Sequence, residues 1–314
     1  MKRLGYVDIY KSIGIILMIM GHIGFGERFD FFIHAFHMPI FFFISGFLYK
    51  DCRSVSFKKY FVKKFRSLII PYISFGIIHF TISVFLYGYN IEYLKHLLFI
   101  NTDGLPIAGA LWFLTALFFV DIIYYLIDKF IKKDLYQFII ILFMFTCTLY
   151  IKDKFSIVLP YAIGSSMAGL ILFFIGNKVK GKILNIKFLL LAVITVLDVY
   201  LIFNNGYVNM RTEVYSNVIL FFFNSILSSI VLINYALIVE KVLKISFISK
   251  FIQSIGKNSI VYVCLNQIVI LLVTKFINYY LPFKNYFILL LSVILLGVGS
   301  YIISKTKLKF LIGK

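Results

Sequence analysis

The sequence predicts an all-α, polytopic membrane protein, a single helical bundle of about ten transmembrane helices. Three observations carry that expectation. The 314 residues are 61% hydrophobic and only 14% charged, whereas soluble domains run near half apolar and a quarter charged. Apolar runs close to the ~20 residues that cross a bilayer recur along the whole chain. Lys and Arg collect in alternate connections between those runs. The net charge of +19 would otherwise suggest nucleic acid. Its cations sit in short loops between apolar runs, which excludes that partner.

The first span, 9–24, belongs to the stretch DIYKSIGIILMIMGH at 8–22. Lys2 and Arg3 precede it as in a signal peptide, but Asp8 and Lys11 interrupt the apolar region and further spans follow, so it reads as an uncleaved span. The eleven steps from Lys11 to His22 come within roughly 20° of whole helical turns, so the two side chains share one face about 16 Å apart. Asp8 lies one turn before Lys11 on the same stripe. Ionisable groups are costly in hydrocarbon, so the stripe must face protein or water.

The second span, 31–49, reads FFIHAFHMPIFFFISGFLY. Pro39 lacks a backbone donor and would clash with the carbonyl of Ala35 in a continuous helix. The span is therefore kinked, or restarts near Met38 after a partly embedded loop. Either arrangement brings His34 and His37 to the depth of His22. The basic segment 50–66 leads into the third span, 67–87. The longest outer connection, 88–107, has the mixed composition of an interfacial segment. The remaining spans are 108–127, which holds Trp112 and Asp121, then 136–151, 157–176, 188–203 with Asp198, 214–239, 259–280 and 286–304. No repeat or linker divides the chain, so 1–314 reads as one domain. With the amino terminus inside, 24 of the 32 Lys and Arg fall in inner segments, seven in outer ones, and Lys11 within the first span. That asymmetry puts both termini in the cytoplasm and the protein in the cell membrane. Cys52, Cys147 and Cys264 are scattered and form no cluster with His, so no disulfide framework or metal site is expected.

The stretches DIYKSIGIILMIMGH, HAFHMPIFFFISGFLYK, FRSLIIPYISF, LWFLTALFF and IGKNSIVYVCLNQI, in this order, resemble the membrane-bound acyltransferase type 3 family, most of all its branch related to fucose 4-O-acetylases. The resemblance covers 3–268. It implies transfer of an acyl group, usually acetyl from acetyl-CoA, to a carbohydrate hydroxyl. Its hallmark is a basic residue, ten intervening residues and a histidine, matched by Lys11 and His22 with Lys where many relatives carry Arg. Many relatives also place a histidine where this chain has Asn266, which can hydrogen-bond but cannot shuttle a proton near neutral pH.

Acyl transfer to an alcohol needs a base for the hydroxyl proton and donors for the oxyanion at the thioester carbon. His22 is the expected base; the alternative is that His22 is itself acylated and passes the group on. Lys11 either contacts the phosphate or pantetheine end of CoA or pairs with Asp8. The segment 50–66 suits the nucleotide phosphates, with Arg66 the expected specific contact. His34 and His37 are expected to orient His22 or the substrate, or to lie at the interface as span-end histidines. Trp112 is either an interfacial anchor or a platform for a sugar or adenine ring, and Ser45 and Gly46 allow close helix packing. The leading expectation is an integral membrane O-acetyltransferase. It would act on a cell-surface polysaccharide or its lipid-linked or exported precursor, with membrane lipids and the carbohydrate acceptor as partners. A glycan or lipid-precursor transporter without chemistry is the alternative.

Overall fold

Helices interrupted by short connections follow directly from the apolar runs, and a computed structural model shows them packed as a bundle. It describes residues 4–100, 105–107, 110–243, 246–277 and 281–314. Lys2, Arg3 and Lys244, residues 101–104 of the connection expected at the interface, and the span ends 108–109 and 278–280 lie outside the described residues.

The chain opens with α1 (Gly5–Ile23), α2 (Glu27–His34) and α3 (Pro39–Phe47). Next come α4 (Phe57–Lys64), α5 (Ile70–Tyr87), α6 (Ile91–Lys95), α7 (Trp112–Phe130), α8 (Asp134–Phe155), α9 (Ile163–Lys178) and α10 (Phe188–Asn205). A small antiparallel hairpin, β1 (Val208–Asn209) and β2 (Val214–Tyr215), precedes α11 (Val218–Leu243), α12 (Phe247–Lys257), α13 (Ser259–Phe276) and α14 (Lys284–Lys305). Among the described residues, nine helical segments are long and apolar enough to cross a membrane. The tenth expected span corresponds to α7, whose 19 residues equal α1 in length but include Asp121, Asp128 and Lys129. Its acids are matched from the basic segment. Lys64 reaches Asp121 at 2.7 Å and Arg53 reaches Asp128 at 2.8 Å, as buried carboxylates require. Asp198, the other acid inside a span, accepts from Ser228 Oγ at 2.6 Å.

Three local features position the site. Gly24, at φ 83°, stops α1 just after His22, its N–H returning to the Met20 carbonyl at 3.0 Å. Pro39 starts α3 as its first residue, and a four-residue turn at 35–38 separates it from α2. The second span is therefore kinked: the N–H groups of His37 and Ile40 still reach the carbonyls of Ile33 and Phe36 across the turn, which carries His37. Finally, α12 is pinned to the start of α1. Ser12 Oγ donates to the carbonyls of Asp8 (2.7 Å) and Ile252 and accepts from the N–H of Gly256 (3.0 Å). Gly256 lies so close to the Asp8 backbone that a Cβ would overlap it.

Helices α1, α3, α7 and α9 form the interior, with Tyr10, Ile15, Phe42, Ala116 and Leu170 fully buried. Gly46 of α3 and Gly176 of α9 sit against the partner helix's backbone where no Cβ fits, the small-residue packing typical of membrane helices. Helices α8, α10 and α14 turn large apolar side chains such as Phe143, Leu189 and Tyr301 outward, as a lipid-facing perimeter does.

Candidate active site

The carboxyl-terminal end of α1 opens onto a cavity of about 110 Å³ lined by His22, His34, His37, Trp112, Asn209 and Arg211, with methionines between them. Four separate elements therefore converge. The helix stop at Gly24 leaves His22 at the rim. The α2 end and the turn at 35–38 supply His34 and His37, the start of α7 supplies Trp112, and the β1–β2 hairpin supplies Asn209 and Arg211. His34 Nδ1 donates to the carbonyl of Asp30 at 2.6 Å, and His37 Nδ1 to that of Ile33 at 2.8 Å. A carbonyl only accepts, so both rings carry the proton on Nδ1 and, when neutral, keep Nε2 as the basic nitrogen. Their ring centroids lie 5.0 Å apart, edge to face. His22 is exposed to the cavity, and its Nδ1 is 3.1 Å from the amide nitrogen Nε2 of Gln267 on α13.

The opposite end of α1 is built differently. Asp8, Lys11, Lys50 and Lys180 line a cavity of about 560 Å³ together with Leu4, Tyr6 and Phe47. A neighbouring cavity of about 380 Å³ shares Lys50 and Lys180 and adds Arg53, Lys178 and Asp128. The two form a cationic basin fed by α1, the segment after α3 and the segment after α9. Among the described residues, the histidine cavity and the basin share no lining residue. Between Lys11 and His22 the stripe is filled by Ile15 and Met18, both fully buried.

Residues 4–304 match the sequence model of a family described as an acyltransferase domain, Acyl_transf_3. The chain belongs to the acyltransferase 3 family. Membership of that family makes it a multi-pass membrane acyltransferase, as the sequence motifs at Lys11 and His22 implied. No curated protein and no solved structure matches the chain.

Within this acyltransferase, several expected site residues come together and others do not. His22, His34, His37 and Trp112 share the histidine cavity; Asp8 and Lys11 share the basin. Trp112 is only 4% exposed, so it is a cavity wall and not an anchor at the membrane surface. Arg66 lies on the π-helical turn between α4 and α5, exposed and lining neither site. Of the basic segment, Lys50 and Arg53 reach the basin instead, while Lys64 is drawn to Asp121. Asn266 is fully buried and donates to the carbonyls of Tyr262 (3.2 Å) and Val263 (2.6 Å) in its own helix. The next residue, Gln267, is the one that meets His22.

Gln267, Arg211, Asn209 and the lysines Lys178 and Lys180 escaped sequence reasoning. Of these only Gln267 stands in one of the motifs, IGKNSIVYVCLNQI, and each reaches its site through a contact distant in sequence. His79 is a further case. Fully buried on α5, it holds the carbonyls of Ile107 and Cys264 (2.7 Å for the latter) and so ties three segments together.

Proposed function

We propose that this membrane acyltransferase is an O-acetyltransferase. In this reading it moves acetyl from acetyl-CoA to a hydroxyl of a cell-surface polysaccharide or its lipid-linked or exported precursor, with His22 as general base. The observation that carries the reading is the polarity of α1. One helix bears a wide cationic basin at Lys11 and a narrow imidazole cavity at His22. A nucleotide polyphosphate suits the first and an alcohol nucleophile the second. Positive-inside bias supports a cytosolic basin, so the donor would enter from the cytosol and the acceptor from the opposite face. The likeness of the motifs to fucose 4-O-acetylases supports a sugar hydroxyl as acceptor. A transporter without chemistry fits the family membership less well.

The acceptor oxygen attacks the thioester carbon while His22 takes its proton. The C–S bond then breaks, and the CoA thiolate leaves with the proton that His22 returns. Base action through Nε2 requires Nδ1–H to donate to the amide oxygen of Gln267; the two ends of that amide exchange by rotation about its last single bond. The pantetheine arm, the thin part of the donor, would pass along the α1 stripe by displacing Met18, an unbranched and adaptable side chain.

The test is release of CoA thiol and transfer of labelled acetyl by the full-length protein in lipid nanodiscs supplied with envelope glycan. His22→Ala should lower transfer by at least about 100-fold while the protein still inserts and elutes as the wild type does. Unchanged transfer by that variant would remove His22 from the chemistry.

A further inference from the structure

We propose that the acceptor is an anionic glycan, carrying a carboxylate or phosphate near the hydroxyl that is acylated, and that Arg211 binds that charge. The proposal rests on the acyltransferase reading of the histidine cavity. It starts from the sign of the cavity. Among the described residues its ionisable lining is His22, His34, His37 and Arg211, all basic, with no carboxylate. A neutral sugar gains little from such a wall, whereas an anion gains strongly where water is scarce.

The hairpin holds Arg211 in place. Asn209 Oδ1 accepts from the N–H groups of Arg211 (3.1 Å) and Thr212 (3.4 Å). Ser165 Oγ on α9 donates to the Arg211 carbonyl at 3.3 Å. Lys152 on α8 donates to the carbonyls of Thr212 (2.8 Å) and Glu213. The backbone then turns left-handed at Glu213, φ 57°, a conformation rare for a residue with a side chain. The turn carries the Glu213 carboxyl away from the cavity, into the space beside Gly164 that a Cβ would fill. The hairpin thus presents its cation to the cavity and buries its anion against α9. A guanidinium offers paired donors that match carboxylate and phosphate oxygens, and Asn209 and Trp112 beside it suit the sugar ring.

Trp112 is the only tryptophan in the chain and lines this cavity, so its emission reads occupancy without any acyl transfer. Full-length protein in nanodiscs is titrated with methyl glucuronide, methyl glucoside 6-phosphate and neutral methyl glucoside. Wild type, Arg211→Gln and Arg211→Lys are compared, and CoA release from acetyl-CoA is followed on the same samples. At least one anionic probe should saturate at a concentration lower by about 10-fold or more than the neutral one. The two anionic arms tell carboxylate from phosphate. Arg211→Gln should erase the preference and Arg211→Lys should retain part of it. Absence of an anionic preference in the wild type, or its persistence in Arg211→Gln, overturns the proposal. So does a fall in kcat with probe binding unchanged, which would give Arg211 to the oxyanion instead. Arg211-dependent anion binding without CoA release under any condition upholds the anion site and overturns the acetyl-transfer reading alone.

Discussion

The two ends of α1 differ in how they hold their charged groups. At the basin end, Lys50, Arg53 and Lys180 are exposed side chains on irregular segments around cavities of about 560 and 380 Å³. At the histidine end the cavity is near 110 Å³, two imidazoles have fixed tautomers, and the hairpin over it is tied to α8 and α9. Exposed cations around a wide space suit a large polyphosphate held by many weak, screened contacts. Fixed rings in a narrow space suit proton transfer, where geometry sets the rate. One end therefore reads as affinity, the other as chemistry.

Substitutions at the histidine end should then change kcat, and the largest of these effects after loss of His22 itself belongs to its partner. Gln267→Ala should lower kcat by about 10- to 100-fold, as loss of an orienting partner does elsewhere, with little change in KM for acetyl-CoA. Gln267→Glu, which can only accept from Nδ1–H when ionised, should keep most of the activity. If Gln267→Glu were as poor as Gln267→Ala, the amide would act as donor to Nδ1 and His22 would not be a base through Nε2.

Midway between the ends, Met18 fills the stripe. Met18→Phe keeps an apolar side chain but makes it stiff. Steady-state transfer should fall about 10-fold, while CoA binding, measured by equilibrium dialysis at the basin, stays at the wild-type level. Equal loss of CoA binding would mean that the donor does not travel along α1. At the basin itself, Lys50→Ala and Lys180→Ala should each raise KM for acetyl-CoA only about 2- to 5-fold and leave kcat alone. Exposed cations are worth at most about 1 kcal/mol each, and the effect should fade in high salt.

The same contrast explains what was legible beforehand. The bundle was readable because apolar runs and loop charge are local, additive signals, and α7 was readable despite its acids because Trp112 and the aromatic run frame it. Lys11, His22, His34 and His37 were readable because helical periodicity and Pro39 fix their relative depth. Gln267 was not, since its neighbour Asn266 is equally polar and only the rotation of α13 decides which of them faces α1. Arg211 was not, because a two-residue ladder between α10 and α11 leaves almost no trace in composition, and its placement depends on Lys152, 59 residues earlier. Arg66 lies away from both cavities for the converse reason. Charge density marks a segment, but folded contacts such as Lys64 to Asp121 and Arg53 to Asp128 decide which of its cations face inward.

The hairpin offers the smallest and most specific test of the contrast. Glu213 is 6% exposed, with Oε1 buried and without a hydrogen-bond partner among the described residues. Burial pushes its carboxyl above the ordinary carboxylate range, and the nearby Lys152 offsets this only in part. A raised carboxyl pKa means that the folded state holds its proton where the unfolded chain has lost it. The stability linked to Glu213 is therefore complete at low pH and lost as pH rises through the raised value. Glu213→Gln removes the titration while keeping the shape. Its Tm should match the wild type near pH 4 and exceed it by about 1–3 °C near pH 8, followed by Trp112 emission. A wild type that is instead more stable than Glu213→Gln near pH 8 would mean that Lys152 holds Glu213 as an anion. The hairpin would then be latched by charge, and the rigidity of the histidine end would itself depend on salt, like the affinity of the other end.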